Sequence, residues 1–120
     1  MARFLAIYIG TATAKEKSDW NAMDSITRQT REQEAMAAWG QWMQDHQTAI
    51  VDPGTPIGAT KRVSSKGIED TSNHITGYVL IEAASHMDAA ELFMSHPHFS
   101  LFPGDSVEIM ECLPMPSGDT

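Results

Sequence analysis

The chain reads as an α+β domain, a ferredoxin-like plait of order βαββαβ. Three observations predict this. The aromatic and β-branched run RFLAIYIG opens the chain. A long polar stretch carries an apolar stripe at helical spacing. Two further strand runs, HITGYVLIEA and SVEIMECL, bracket a short helix that leads into HPHF. Strand–helix–strand, twice over with a hairpin between, gives four antiparallel strands with two helices on one face.

Taken in order, residues 3–10 form the first strand. Both of its parities are apolar, Leu5, Ile7 and Ile9 on one and Phe4, Ala6 and Tyr8 on the other. A strand apolar on both sides is normally covered on both sides. Residues 11–18 are small and polar and read as a loop, with Ser18 or Asp19 as the cap of the next helix. That helix is expected over 19–47. Its stripe is Ala35, Met36, Trp39, Trp42, Met43 and His46, which fits a 3.6-residue period. Gly40 inside it predicts close packing beside a tryptophan. Asp52-Pro53-Gly54 is a turn signature, residues 57–65 read as the second strand, and residues 66–73 as a polar connection. Residues 74–83 form the third strand, again apolar on both parities, and Gly77 within it predicts a bulge or a close contact. Ser85 caps a short helix with Ala89, Leu92 and Phe93 inward, and Pro97 ends it. Residues 103–105, PGD, turn the chain into the last strand, 106–113, on which Cys112 reads as a small buried hydrophobe.

Composition narrows the function classes. The 120 residues, 42% of them hydrophobic, suit one domain, 1–113, with a loose tail, 114–120. Sixteen Asp and Glu against eight Lys and Arg give a net charge of −8, which repels nucleic acid and anionic lipid. The opening apolar run is too short to span a bilayer or to serve as a secretory h-region, so no membrane partner and a cytoplasmic location are expected. One cysteine makes no internal disulfide. No phosphate loop, nucleophile elbow, zinc motif or dinucleotide fingerprint is present, so no cofactor is expected.

AAWGQWM, VDPGTPIGATKRV, ITGYVLIEA, HPHF and SVEIMECLPM, in that order, resemble the YCII-related (DGPF-type) proteins over residues 3–115. The resemblance implies a dimeric α/β barrel, two plaits joined sheet to sheet. That homodimer would cover the second apolar face of the first and third strands. Most such proteins have no assigned reaction. In some, a His on the first helix and an Asp after the second are a proposed acid–base pair. Those positions fall at Met36 and His96, so this chain lacks that pair.

His96-Pro97-His98 is the most suggestive cluster. Two imidazoles can supply an acid or base near neutral pH. They can equally sit at a helix C-terminus, where His96→Ala would cost only about 0.3–1 kcal/mol. A metal would need further ligands, and none is expected. Asp52 either caps its own turn or joins His96 and His98 as a third catalytic group. Lys61 is either a solvent charge on a strand or an inward cation for a substrate anion, and the resemblance favours a lysine there. Tyr8 and Tyr78 lie opposite the aliphatic parity, so both are expected to point into the dimer barrel if the aliphatic parity meets the helices. The expected function is a cofactor-independent dimer that binds an unknown small organic ligand. A His acid/base would act in a cavity near the end of the second helix. The alternative is a non-catalytic sensor or accessory dimerisation domain.

Overall fold

A computed structural model describes residues 1–10, 22–94, 96–100 and 104–115. The expected loop over 11–18, its caps and Pro103 lie outside those residues. The elements are β1 (Ala2–Ile9), α1 (Ser25–Asp45), β2 (Ile50–Asp52), β3 (Thr60–Ser64), β4 (Gly67–Thr71), β5 (Ile75–Ala83), α2 (His86–Glu91), α3 (Pro97–Ser100) and β6 (Ser106–Glu111). The main sheet has the order β2-β5-β1-β6 and every pairing in it is antiparallel. This mixed α+β arrangement is compatible with a ferredoxin-like plait.

The edge of the sheet beside β5 differs from the sequence reading in two ways. The sheet's edge strand is the three-residue β2. The segment read as the second strand leaves the sheet and pairs with residues read as a polar connection, forming the separate hairpin β3–β4. The cause is local. Asp52 Oδ1 accepts the Gly54 N–H at 2.9 Å, and Gly54 takes φ +69°. With Pro53 and Pro56 supplying no N–H, the ladder cannot run on. It resumes only at a bridge from Pro56 to Gly77 and the Ile57 N–H to Thr76 O bond of 2.9 Å. The irregular residues 53–55 thus stand off the sheet edge.

The core lies between one sheet face and the helices. Phe4, Ala6 and Tyr8 of β1 meet Val79, Ile81 and Ala83 of β5, beneath Trp42, Ala89 and Phe93. The register explains the partition, since Phe4 faces Ile81, Ala6 faces Val79 and Tyr8 faces Gly77. Residues directly opposite across strands share a face. It is therefore the aromatic parity of β1 that meets the helices, joined by the aliphatic parity of β5. Tyr8 and Tyr78 project from opposite sheet faces, which corrects the expectation that both enter a dimer barrel. The other face carries Leu5, Ile7, Ile9, Tyr78 and Leu80, each half-buried.

α1 starts at Ser25, capped by Asp24, whose carboxylate accepts the Thr27 N–H at 2.6 Å. That bond holds the Asp24 carboxyl below its usual range. Within the stripe Ala35 and Trp42 are buried and Trp39 and Met43 pack on the core, but Met36 is 63% exposed. Gly40 is exposed, with open space where a Cβ would stand, so the expected close packing is absent. Gly40→Ala should therefore stabilise the chain by up to about 1 kcal/mol. Gly54→Ala should do the reverse, because its Cβ would collide with the Tyr78 carbonyl oxygen. Thermal melts of the two variants should move in opposite directions. Cys112 is exposed just past β6, not buried on it. Pro97 opens α3 as its first residue, a position that suits its missing N–H.

Candidate functional site

A cavity of about 420 Å³ lies between the β1–β5 end of the sheet, α1 and the irregular residues 53–56. The break in the edge strand places Pro53, Gly54, Thr55 and Pro56 on it. One turn spacing on α1 places Met36, Trp39 and Met43 on it, and Tyr8, Tyr78, His98 and Gly104 complete the functional wall. Carbon surface dominates this lining, with few polar groups among it, as is usual for small-molecule sites.

His96 lies behind Tyr8, fully buried. Its ring centroid is 4.3 Å from that of Trp39, 4.5 Å from Trp42 and 5.8 Å from Phe93. Burial drives its pKa down to about 3, with His98 and His46 pushing the same way. The ring is therefore neutral near pH 7, and its tautomer is set. Nδ1 accepts the His98 backbone N–H at 2.9 Å, so the single ring proton sits on Nε2. Nε2–H then donates to the Tyr8 hydroxyl oxygen, 3.1 Å away. Both nitrogens of His96 are used, and the Tyr8 oxygen is used as an acceptor. The Tyr8 hydroxyl proton is left to point elsewhere, and no acceptor for it occurs among the described residues. Burial raises the Tyr8 pKa well above its usual value, so the phenol stays protonated.

His98 is 4% exposed and arranged the other way round. Its Nε2 lies 2.9 Å from Ile9 O and 3.0 Å from Ser106 O. Carbonyl oxygens only accept, so Nε2 carries the proton and Nδ1 carries the lone pair. These two bonds tie β1 to β6 at the position where Ile9 and Ser106 face each other. Burial lowers the His98 pKa, while the two carbonyls and Asp105 oppose that shift.

The other candidates stand apart. Asp52 is exposed and caps its own turn, next to the cavity but not on its wall. Lys61 projects from the β3–β4 hairpin, where its ammonium pairs with Asp70 at 2.6 Å. It shares no wall with Tyr8 or His98. Met36, Trp39 and Met43 are the lining residues that the sequence reading assigned to the core stripe. Among the described residues no group of three His, Cys, Asp or Glu gathers as a metal would require, and no helix is long and apolar enough to cross a membrane.

No family model matches the chain, and no curated protein does. Among solved structures, the fold is similar to 5-chloro-2-hydroxyhydroquinone dehydrochlorinase from Burkholderia phenoliruptrix AC1100, determined in complex with 2,5-dihydroxybenzoquinone. The TM-score is 0.51 at 12% sequence identity, over 99% of this chain and 97% of the other. At that identity the likeness is one of fold, and it supports a distant relationship in architecture.

Proposed function

We propose that the chain is a YCII-like homodimer that binds a flat, oxygen-bearing organic molecule in the 420 Å³ cavity and acts on it by acid–base chemistry without a cofactor. The observation that carries this reading is the Tyr8–His96 pair. A neutral imidazole donates to the phenol oxygen and leaves the phenol proton available at the wall of an apolar cavity. A hydroxyl that has no acceptor among the described residues would gain most from a ligand carbonyl or phenolate oxygen. Trp39 and the methionines Met36 and Met43 offer a ring face and thioethers to the rest of a flat molecule. The fold neighbour's ligand, an oxygenated six-membered ring, is of this kind.

The test is a thermal-shift and tryptophan-fluorescence screen with hydroquinones, catechols, hydroxybenzoates, benzoquinones and aryl 2-oxo acids. At least one class should bind and quench fluorescence, since Trp39 lines the cavity. Tyr8→Phe should weaken that ligand about tenfold or more, the worth of one buried hydrogen bond. Equal affinity in both proteins would remove Tyr8 from the site.

The dimer rests on the half-buried apolar face of Leu5, Ile7, Ile9, Tyr78 and Leu80, with Val51 and Met110 beside it at 37% and 39% exposure. A contiguous apolar sheet face is a self-association surface. Light scattering at micromolar concentration should report about twice the 13.2 kDa chain mass. Leu80→Glu should lower it to that of one chain.

A further inference from the structure

Residues 53–56, which wall the cavity, form a strap that lies beside side chains of both sheet faces. Toward the helix face, a Cβ on Gly77 would stand 3.4 Å from the Thr55 carbonyl oxygen and 3.4 Å from Cδ2 of Tyr8. Toward the other face, a Cβ on Gly54 would collide with the Tyr78 carbonyl oxygen and stand 3.1 Å from Cδ2 of the Tyr78 ring. The two tyrosines belong to opposite faces because Tyr8 pairs with Gly77 and Tyr78 with Ile7. Little else holds the strap. Its hydrogen bonds run from Gly54 N–H to Asp52 Oδ1 and, just beyond it, from Ile57 N–H to Thr76 O. Pro53 and Pro56 have no N–H to give, and Pro53, Thr55 and Pro56 are exposed. The strap therefore leans on Tyr78, which stands among Leu5, Ile7 and Leu80 on the half-buried apolar face.

We propose that a second copy of this chain, seated on the Tyr78 face, fixes the 53–56 strap, so that the cavity wall is complete only in the dimer and ligand binding is coupled to dimerisation. This rests on the cavity being a ligand site and on the chain being a homodimer. The occupant follows from the shape of the face. Its strands β1, β5 and β6 are 8, 9 and 6 residues long, with the three-residue β2 at one edge. At about 3.4 Å per residue and about 4.8 Å between strands, they span roughly 400 Å² in plane. Side chains standing on that plane expose more than its projection, on the scale of the about 800 Å² that each partner gives to a stable complex. A single peptide strand or helix is too narrow to cover such a face. Another sheet of the same width covers it by face-to-face packing, and an isologous pair supplies that sheet from the same chain.

The coupling follows from what each partner can reach. A second sheet over Leu5, Ile7 and Leu80 also covers the Tyr78 ring, and so fixes the side chain on which Gly54 rests. A ligand in the cavity meets the same strap from its inner side, at Thr55 and Pro56. Each event orders residues that the other needs ordered. Whichever comes first lowers the ordering cost of the second, and the two affinities rise together.

The test compares the parent with Leu80→Glu, since Leu80 lies on the sheet face and not on the cavity wall. The probe is 2,5-dihydroxybenzoquinone, the ligand of the fold neighbour, followed by quenching of tryptophan fluorescence. Monomeric Leu80→Glu should bind it about tenfold or more weakly than the dimeric parent, and the probe should tighten the parent dimer by the same factor. Equal affinity in the two proteins overturns the coupling and leaves the ligand site standing. A parent that is monomeric at every concentration within reach of light scattering overturns the coupling and the dimer together. Should the probe bind neither protein, it is the ligand site that fails for this probe, and amide exchange decides the coupling. Exchange at Gly54 and Thr55, read by NMR, should be about tenfold slower in the dimeric parent than in Leu80→Glu, as for a segment ordered by its cover. Equal exchange overturns the proposal. Should Leu80→Glu fold poorly, dilution of the parent through its dimer dissociation constant supplies the monomer for both measurements.

Discussion

Replacing His96 by alanine should cost about 3–5 kcal/mol of stability, a large part of what a domain of this size possesses. The side chain is 0% exposed and packed among Tyr8, Trp39, Trp42 and Phe93. Its removal leaves a ring-sized void in the middle of an aromatic cluster. It also leaves the His98 amide without an acceptor and the Tyr8 oxygen without its donor, each a further penalty of about 1–3 kcal/mol where water cannot enter. The sequence alone led to the opposite expectation, that a histidine at a helix terminus is removed at a cost of only about 0.3–1 kcal/mol. Urea unfolding followed by tryptophan fluorescence measures the loss. His96→Phe divides it, since phenylalanine refills the volume but restores neither hydrogen bond, so its cost should fall between the parent and His96→Ala. A cost under about 1 kcal/mol for His96→Ala would return His96 to the surface role of a helix terminus.

HPHF offers a proline after a helical stretch, and proline there is ordinarily read as a stop. In the structure α2 has already ended at Glu91, and Pro97 starts another turn of helix, α3. That extra turn tucks both imidazoles under α1 instead of leaving them at a terminus. Nothing in the local pattern distinguishes the two cases, because the difference is made by Trp39 and Trp42, more than fifty residues away. The hairpin is a different matter, for its signal was present. Thr60-Lys61-Arg62-Val63 and Ile68-Glu69-Asp70-Thr71 are mirror images about Ser65-Lys66, with Lys61 on Asp70, Arg62 on Glu69 and Val63 on Ile68. Cross-strand charge pairs mark strand partners as surely as apolar alternation does. A reading keyed to apolar runs passes over a hairpin that has no core to face. The long strands β1 and β5 and the tryptophan stripe were legible because burial writes its own period into the sequence. The side of β1 that would be buried was not, since both parities are apolar and only the register with β5 chooses between them. The cavity itself was half legible. Tyr8, Tyr78 and His98 do share it, while Lys61 was drawn away by the hairpin and Asp52 by its own turn.

The same buried imidazole makes the fold acid-sensitive. In the unfolded chain His96 titrates near its ordinary value of about 6.5, whereas in the fold burial holds it down to about 3. The folded pKa is the lower one, so between those two values the unfolded state binds a proton that the folded state refuses. Stability is then greatest above about pH 6.5 and falls as the pH is lowered, by about 1.4 kcal/mol for each pH unit. By pH 5 the loss from His96 alone should be about 2 kcal/mol. Burial shifts His98 the same way, so it adds to the loss. The Asp24 carboxyl is also held low, but its contribution is lost only at more acidic pH, where its carboxylate protonates in the folded state. Urea midpoints at pH 7.5 and pH 5.0 measure the total. A chain of net charge −8 is also relieved of self-repulsion as it is acidified, an opposing effect that any variant shares. The decisive quantity is therefore the difference between the parent and His96→Phe, which lacks the titrating ring. Between the two pH values the parent should lose about 2 kcal/mol more than the variant. Parallel losses in the two proteins would mean that His96 takes up its proton in the fold, and the hydrogen bond that orients Tyr8 would then need a different account.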